Sequence, residues 1–476
     1  MSITRRQALG LAVAAAAAPF VANAQQRRPN IVYIMADDLG YGDLSCYGRR
    51  DYQTPNIDRL AASGTRFLQA YANSAVCTAT RVALATGRYQ YRLPVGNEEP
   101  LASGTERGRT IGLPPEHPTL ASLAREAGYQ TALVGKWHMG QLPSFGPLKS
   151  GYEHFWGIRS GGVDYFTHQS NATDPMSNDL WDGDTNIERT GYLTDLLGDQ
   201  AVATIKLFAA ARRPYLLSLH FTAPHWPWEG PTDQAESQRL RNLFHYDGGS
   251  MKTYAAMMTR LDDQVGRVMA AIDATGQSGN TIVIFTSDNG GERFGNTWPF
   301  TGRKEELLEG GLRIPAILRW PGRVRPRSTS NQVAITMDWV PTLLAAAGAP
   351  ADPAYPFDGI DLGPTLNGTV VSRKLYWRFK FNQQKALRDG DMKFLEIAGN
   401  QFLFNVVEDP MERANLKARL PEVFERLIAD HAVWNATMLP EDPASNTGPF
   451  AYGDDIADHF GVRRQVQPTP EPRPAR

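Results

Sequence analysis

The chain has 476 residues, 42% of them hydrophobic, with 49 Lys+Arg against 50 Asp+Glu and a formal net charge of −1. That is enough apolar material for a large core, as one big domain with a smaller companion or as two to three ordinary domains. The near-neutral balance excludes a global basic field for nucleic acid, so any anionic ligand must be held locally. The two cysteines, Cys46 and Cys77, allow one disulfide at most, so stability does not rest on a disulfide framework.

Residues 1–24, MSITRRQALGLAVAAAAAPFVANA, combine a charged start, an apolar stretch interrupted by Pro19 and an Ala-x-Ala end at Ala22–Ala24. This is the pattern of a secretion signal rather than a membrane anchor. The adjacent Arg5 and Arg6 resemble a twin-arginine leader, which implies export of a folded protein to the periplasm or exterior of a bacterial cell. Its removal would leave a net charge of about −3. No other apolar run approaches the roughly 18 residues of a membrane helix, so the mature form is expected to have no membrane partner.

After the leader, Ile31 to Ala36 reads as a buried strand that ends abruptly in Asp37-Asp38 and a Gly-rich turn. TPNIDRLAASG and PTLASLAREAG read as helices, each opening with Pro near its first turn and closing on Gly. TALVGKWHMGQ reads as a strand delivering Lys136 and His138, two residues apart and so on one face. LLSLHFTAPHWPWEG is a strand followed by a Pro-stiffened turn presenting His225, whereas His220 inside the strand reads as a packed core residue. Thr281 to Thr286 is a further strand, ending in Asp288-Asn289 and two glycines, and Lys304 follows in a polar loop. MDWVPTLLAAAG reads as a helix.

Strand and helix alternate, so a large mostly parallel or mixed α/β sheet sandwiched by helices is expected over residues 29–365. From there the pattern changes. KLYWRFK, QKALRDGDMKFLEI and QFLFNVV read as short antiparallel strands with a hairpin turn at RDGD, followed by a helix near residues 420–434. Residues 366–462 are therefore expected to form a smaller C-terminal α+β subdomain, and the Pro-rich 463–476 a disordered tail.

In open sheets of this kind ligands bind beyond the carboxyl ends of the strands. Asp37, Asp38, Asp288 and Asn289 sit at two such ends, and their hard oxygens suit Ca²⁺ or Mg²⁺ rather than zinc. Either pair alone also reads as an ordinary strand-terminating turn. Lys136 and Lys304 are able to neutralise an oxyanion, while His138 and His225 are able to move protons near neutral pH. Taken singly, Lys136 and His138 read sooner as a snorkelling lysine and a satisfied histidine, and Lys304 as an ordinary surface lysine. Two lysines, two histidines and a divalent cation together are what a tetrahedral anion such as sulfate or phosphate requires.

Seven blocks, in order, carry a family resemblance: PNIVYIMADDLGYGD, TPNIDRLAASGTRF, CTATRVALATGR, AGYQTALVGKWHMG, FTAPHWPW, SDNGG and GRKEELLEGGLRIP. With these the chain resembles the sulfatases of the alkaline phosphatase superfamily. The resemblance implies an alkaline phosphatase-like fold and an arylsulfatase-like sulfuric ester hydrolase. It also implies that Cys77, in a Cys-x-Ala-x-Arg motif where most members have Pro at the position of Ala79, is oxidised after translation to Cα-formylglycine. A formylglycine-generating enzyme is the implied partner and a sulfate ester the substrate.

By the same resemblance one hydroxyl of the hydrated aldehyde attacks sulfur, and the other then helps expel sulfate. Ca²⁺ is held by Asp37, Asp38, Asp288, Asn289 and the modified Cys77, and Asp288 accepts the attacking hydroxyl's proton. Arg81 positions the modified residue, Lys136 and Lys304 hold the sulfate, His225 protonates the leaving oxygen, and His138 takes the second hydroxyl's proton. Two other readings use the same residues: a formylglycine-dependent phosphonate monoester or phosphodiester hydrolase, and a sulfoglycan-binding protein in which Cys77 is never converted. Tyr165, Trp226 and Trp298 are candidates to stack on a sugar or aryl ring, or are simply packed.

Overall fold

The structure is a computed structural model that describes residues 28–170, 177–240 and 249–447. The leader at 1–24 and the Pro-rich tail at 463–476 lie outside the described residues.

A ten-stranded sheet forms the centre. Its strands are β1 (Asn30–Ala36), β2 (Thr65–Phe67), β3 (Gln130–Lys136), β4 (His154–Ile158), β5 (Trp181–Asp182), β6 (Thr185–Asn186), β7 (Tyr215–His220), β8 (Thr281–Ser287), β9 (Ala316–Arg319) and β10 (Ser328–Ser330). They run in the order β10-β2-β9-β8-β1-β7-β3-β4-β5-β6. The central run from β8 through β1, β7 and β3 to β4 is parallel, and β9 and β5 pair antiparallel at its flanks. β1 is wholly buried, and its alternate residues enter two different cores. Val32 and Ile34 face α1 (Pro55–Ala62), α4 (Leu193–Ala211) and α5 (Met251–Ala274). Ile31, Tyr33 and Met35 face α3 (Leu120–Glu126) and α6 (Trp339–Ala347). A sheet covered by helices on both faces accounts for the unbroken apolar runs in its strands.

The helix termini follow the expected chemistry with one adjustment. Pro55 opens α1, and Gly348 ends α6 in a left-handed conformation at φ 65°. Pro118, however, lies outside α3, whose cap is Thr119 accepting from Ser122 N–H.

A separate antiparallel sheet contains β11 (Lys374–Phe379), β12 (Gln384–Asp389), β13 (Met392–Ile397) and β14 (Asn400–Asn405) in sequential order. Asp389 pairs with Met392 across the expected tight turn, where Gly390 has φ 58°. α7 (Pro421–Asn435) covers one face through Phe424 and Leu427. The opposite face packs into the large unit. Trp377, Phe379 and Leu395 share one cluster with Val76 and Ala79, which flank Cys77, and with Leu307 and Leu308, which follow Lys304.

Candidate active site

β1 and β8 are neighbours in parallel register, so their C-terminal ends deliver Asp37-Asp38 and Asp288-Asn289 side by side. The turns are tied together by Asp38 N–H on Asp288 Oδ1 (3.1 Å), Leu39 N–H on Ser287 Oγ (3.0 Å) and Asn289 Nδ2 on Asp38 Oδ1 (2.7 Å). All four residues are buried.

Three cations face the three carboxylates. Lys136, at the end of β3, reaches Asp37 Oδ2 at 2.6 Å, and Lys304 reaches Asp38 Oδ2 at 2.6 Å. Arg81 donates to Asp288 Oδ2 at 2.8 Å, lies 3.6 Å from Asp37, and donates to the Lys136 carbonyl at 3.2 Å. Burial alone would raise Asp38, but Lys304, His225 and Lys136 outweigh it and hold its carboxyl well below the usual range. At Asp37, burial and the neighbouring Asp288 prevail over Lys136 and Arg81 and push the carboxyl up. Burial works against the charge on Lys304, yet Asp38 and Glu292 hold its ammonium firmly protonated.

Cys77 is the first residue of α2 (Cys77–Thr86), directly after the extended Val76, and its Sγ lies 3.2 Å from His138 Nδ1. The thiol is buried, and burial raises its pKa. Arg81, one turn along the same helix, spends its guanidinium on Asp288, Asp37 and the Lys136 carbonyl, so it braces the surroundings of Cys77. The start of α2 also contributes backbone N–H groups that favour an anion.

The two histidines are wired differently. His138 Nε2 lies 2.9 Å from the Leu101 carbonyl, which requires the hydrogen on Nε2 and leaves the Nδ1 lone pair facing Cys77. The hydrogen-bond network thus assigns the tautomer. His225 Nδ1 lies 2.6 Å from the Trp226 carbonyl, and its Nε2 lies 3.6 Å from Asp38 Oδ2. Burial lowers both imidazole pKa values, aided by Lys136 at His138 and by Lys304 at His225. His220 is a packed core residue against Tyr33, as read from its place inside the strand.

Two buried oxygens here have no protein donor, Asp37 Oδ1 and Asn289 Oδ1. Asp37, Asp38 and His225 can each offer a ligand atom within 4.8 Å of the others. Unpartnered buried oxygens are costly, and an oxygen-rich donor set of this kind fits a hard divalent cation such as Ca²⁺.

All ten residues singled out from the sequence converge on this point, with some differences in how. Lys304, which alone reads as a surface lysine, is buried. Lys136 is the last residue of β3, and His138 has a left-handed φ of 56°, so the two meet at the site through a turn rather than by sharing a strand face. Tyr165 is buried with its hydroxyl on the His225 carbonyl at 2.8 Å, so it cannot stack on a ligand. Trp226 packs on His225, and Trp298 is exposed.

Sequence reading passed over two features that seat the histidines. The Leu101 segment is pinned by its N–H on Thr78 Oγ1 (3.0 Å), and it carries no sequence signal. At Gly161 a Cβ would stand 2.5 Å from the His138 ring, and at Gly162 one would stand 3.1 Å from the His225 ring. The Gly-Gly pair that follows β4 after Arg159 and Ser160 is a signal that could have found them.

Residues 29–349 match the family model described as Sulfatase. Human arylsulfatase A (Homo sapiens) is 36% identical over 374 residues, covering 73% of this chain and 69% of the relative. N-acetylgalactosamine-6-sulfatase from Rattus norvegicus is 32% identical over 413 residues, covering 82% of this chain and 75% of the relative. Among solved structures, Ps i-CgsB in complex with k-i-k-neocarrahexaose superposes with a TM-score of 0.78 at 28% identity, covering 89% of this chain and 95% of that one. With the mixed sheet, the strand-end carboxylates and these matches in hand, the chain belongs to the sulfatase family, enzymes that hydrolyse sulfate esters.

Proposed function

We propose that this sulfatase releases inorganic sulfate from a carbohydrate or aryl sulfate ester, using a nucleophile made from Cys77 by oxidation to Cα-formylglycine. The observation that carries the reading is the placement of Cys77. It stands at a helix N-terminus, 3.2 Å from a histidine nitrogen left free to accept a proton, among the carboxylates and lysines at the ends of β1, β8 and β3. The relatives named N-acetylgalactosamine-6-sulfatase and the neighbour solved in complex with k-i-k-neocarrahexaose favour a sugar as the alcohol part.

When hydrated, the formylglycine supplies a gem-diol as nucleophile. Ca²⁺, held by Asp37, Asp38, Asp288, Asn289 and the converted residue 77, would supply positive charge against the diol and a sulfate oxygen. Lys136 and Lys304 hold the remaining sulfate oxygens, exchanging part of their pairing with Asp37 and Asp38 for the substrate. Arg81 keeps Asp288 oriented to accept the attacking hydroxyl's proton. His138, with its hydrogen fixed on Nε2 by Leu101, accepts at Nδ1 the proton of the second hydroxyl. His225 donates from Nε2 to the departing alcohol oxygen. Burial keeps it neutral in the free enzyme, and the negative charge of the bound ester favours its protonated form. The formylglycine-generating enzyme is the required partner, acting before the twin-arginine-like leader exports the folded chain to the periplasm or beyond.

The test is sulfate release by protein co-produced with a formylglycine-generating enzyme, alongside Cys77→Ala and paired sulfate and phosphonate esters. The expected outcome is sulfate release from the sulfate esters that Cys77→Ala abolishes. Converted, Ca²⁺-loaded protein that cleaves phosphonates and leaves every sulfate ester intact would overturn it.

A further inference from the structure

A buried side chain of the C-terminal sheet grips the backbone of the loop that carries Lys304. Gln384, the first residue of β12, is 1% exposed. Its Oε1 accepts Leu307 N–H at 2.8 Å, and its Nε2 donates to the Glu305 carbonyl at 2.8 Å and to the Phe381 carbonyl at 3.1 Å. A donor on one side and an acceptor on the other fix the amide's orientation. Glu305 directly follows Lys304 and is a non-glycine residue at φ 71°, a backbone conformation that persists only where its surroundings hold it. Its N–H donates to the Ala75 carbonyl at 2.9 Å, two residues before Cys77, and its carbonyl is the one Gln384 takes. Glu305 is thereby pinned between the nucleophile segment and the C-terminal sheet. Lys304 N–H donates in turn to the Gly291 carbonyl at 3.0 Å, next to the Asp288-Asn289 turn. On either side of Lys304, Thr301 Oγ1 donates to the Met411 carbonyl at 2.7 Å and Glu309 N–H to Glu412 Oε2 at 2.7 Å, both on the C-terminal unit.

We propose that Gln384 is a positioning residue for sulfate binding: its amide holds Glu305 in the left-handed conformation that aims Lys304 at the anion beside residue 77. It ties the C-terminal sheet to the active site through the backbone of the loop that carries Lys304. The inference rests on the reading of Lys304 as a sulfate-holding residue.

A double-mutant cycle tests it, with Gln384→Leu and Lys304→Ala, alone and combined. It is read by kcat and KM for 4-nitrophenyl sulfate and by calorimetric binding of inorganic sulfate to Cys77→Ala protein. Gln384→Leu is expected to lower kcat/KM by about 10- to 100-fold and to weaken sulfate binding, because small displacements of a positioning group are costly. In the Lys304→Ala background the same change is expected to cost less than about twofold in either readout, the mark of two residues acting as one device. Equal losses in both backgrounds, or a folded Gln384→Leu protein with wild-type kinetics, would overturn the inference. Should the Leu variant not fold, Gln384→Glu takes its place, since it keeps the acceptor for Leu307 and loses the donor for Glu305. A costly Lys304→Ala beside a silent Gln384→Leu defeats this inference alone, whereas a silent Lys304→Ala defeats the reading of Lys304 and this inference with it.

Discussion

His138 and His225 carry the same ring and are turned in opposite senses by one carbonyl each. Leu101 takes the Nε2 hydrogen of His138 and turns Nδ1 toward Cys77, while Trp226 takes the Nδ1 hydrogen of His225 and turns Nε2 toward Asp38. If His225 is the acid, His225→Ala should lower kcat/KM by about 10²- to 10⁴-fold for sugar or alkyl sulfates. It should cost far less for 4-nitrophenyl sulfate, whose leaving group departs without a proton. Equal losses across leaving groups would remove His225 from that role. The identities of these residues were legible because strand ends and Pro-stiffened turns announce them. Their tautomers were not, since Leu101 lies in an irregular segment far from His138 in sequence. The burial of Lys304 was equally hidden: a lysine in GRKEELLEGG reads as solvated until Asp38 is found 2.6 Å away.

The elements of the central sheet followed from apolar runs ending in acidic pairs, and the C-terminal hairpins from alternation around RDGD. Close approach between elements was less visible, as Gly161 illustrates. Gly161→Ala would set a methyl group 2.5 Å from the His138 ring, so the ring or the backbone against it must shift, which is expected to disturb the His138–Cys77 contact. The variant should stay folded and lose about tenfold or more in kcat, measured at saturating substrate. Unchanged kcat would show that the ring's seat is not needed.

The C-terminal element also carries a pH dependence of its own, away from the active site. His431 on α7 lies 2.9 Å by Nε2 from the Trp377 carbonyl, and burial lowers its pKa to about 4. Between the ordinary value of 6.5 and about 4 the unfolded chain binds a proton that the folded one refuses. Stability is therefore full above that window and declines as pH falls through it, by at most about 1.4 kcal/mol per pH unit from this group. Thermal melts between pH 7 and about 4 should show a shallower decline for His431→Gln than for wild type. Parallel curves would contradict the assignment.

At the scale of the whole molecule, the two sheets are joined through one apolar cluster that includes residues beside both Cys77 and Lys304. Composition could predict a smaller C-terminal unit, but not that its core is fused to the active-site helix, because those contacts link residues some 300 positions apart. No helix among the described residues is long and apolar enough to cross a membrane. Three carboxylates and three cations from separate segments meet only in the assembled fold, with Asp37 Oδ1 and Asn289 Oδ1 left over, so the proposed cation would bind the fold rather than any one segment. Chelation should therefore abolish turnover and lower the melting temperature, and Ca²⁺ should restore both; a melting temperature indifferent to Ca²⁺ would speak against the site.

A nucleophile made from Cys77 ties activity to the state of that one side chain. Intact-peptide mass spectrometry of the segment around Cys77, across preparations with graded exposure to a formylglycine-generating enzyme, measures the converted fraction directly. Sulfate release per molecule should rise in proportion to that fraction and vanish at zero; full activity from protein whose Cys77 remains a thiol would contradict a formylglycine nucleophile.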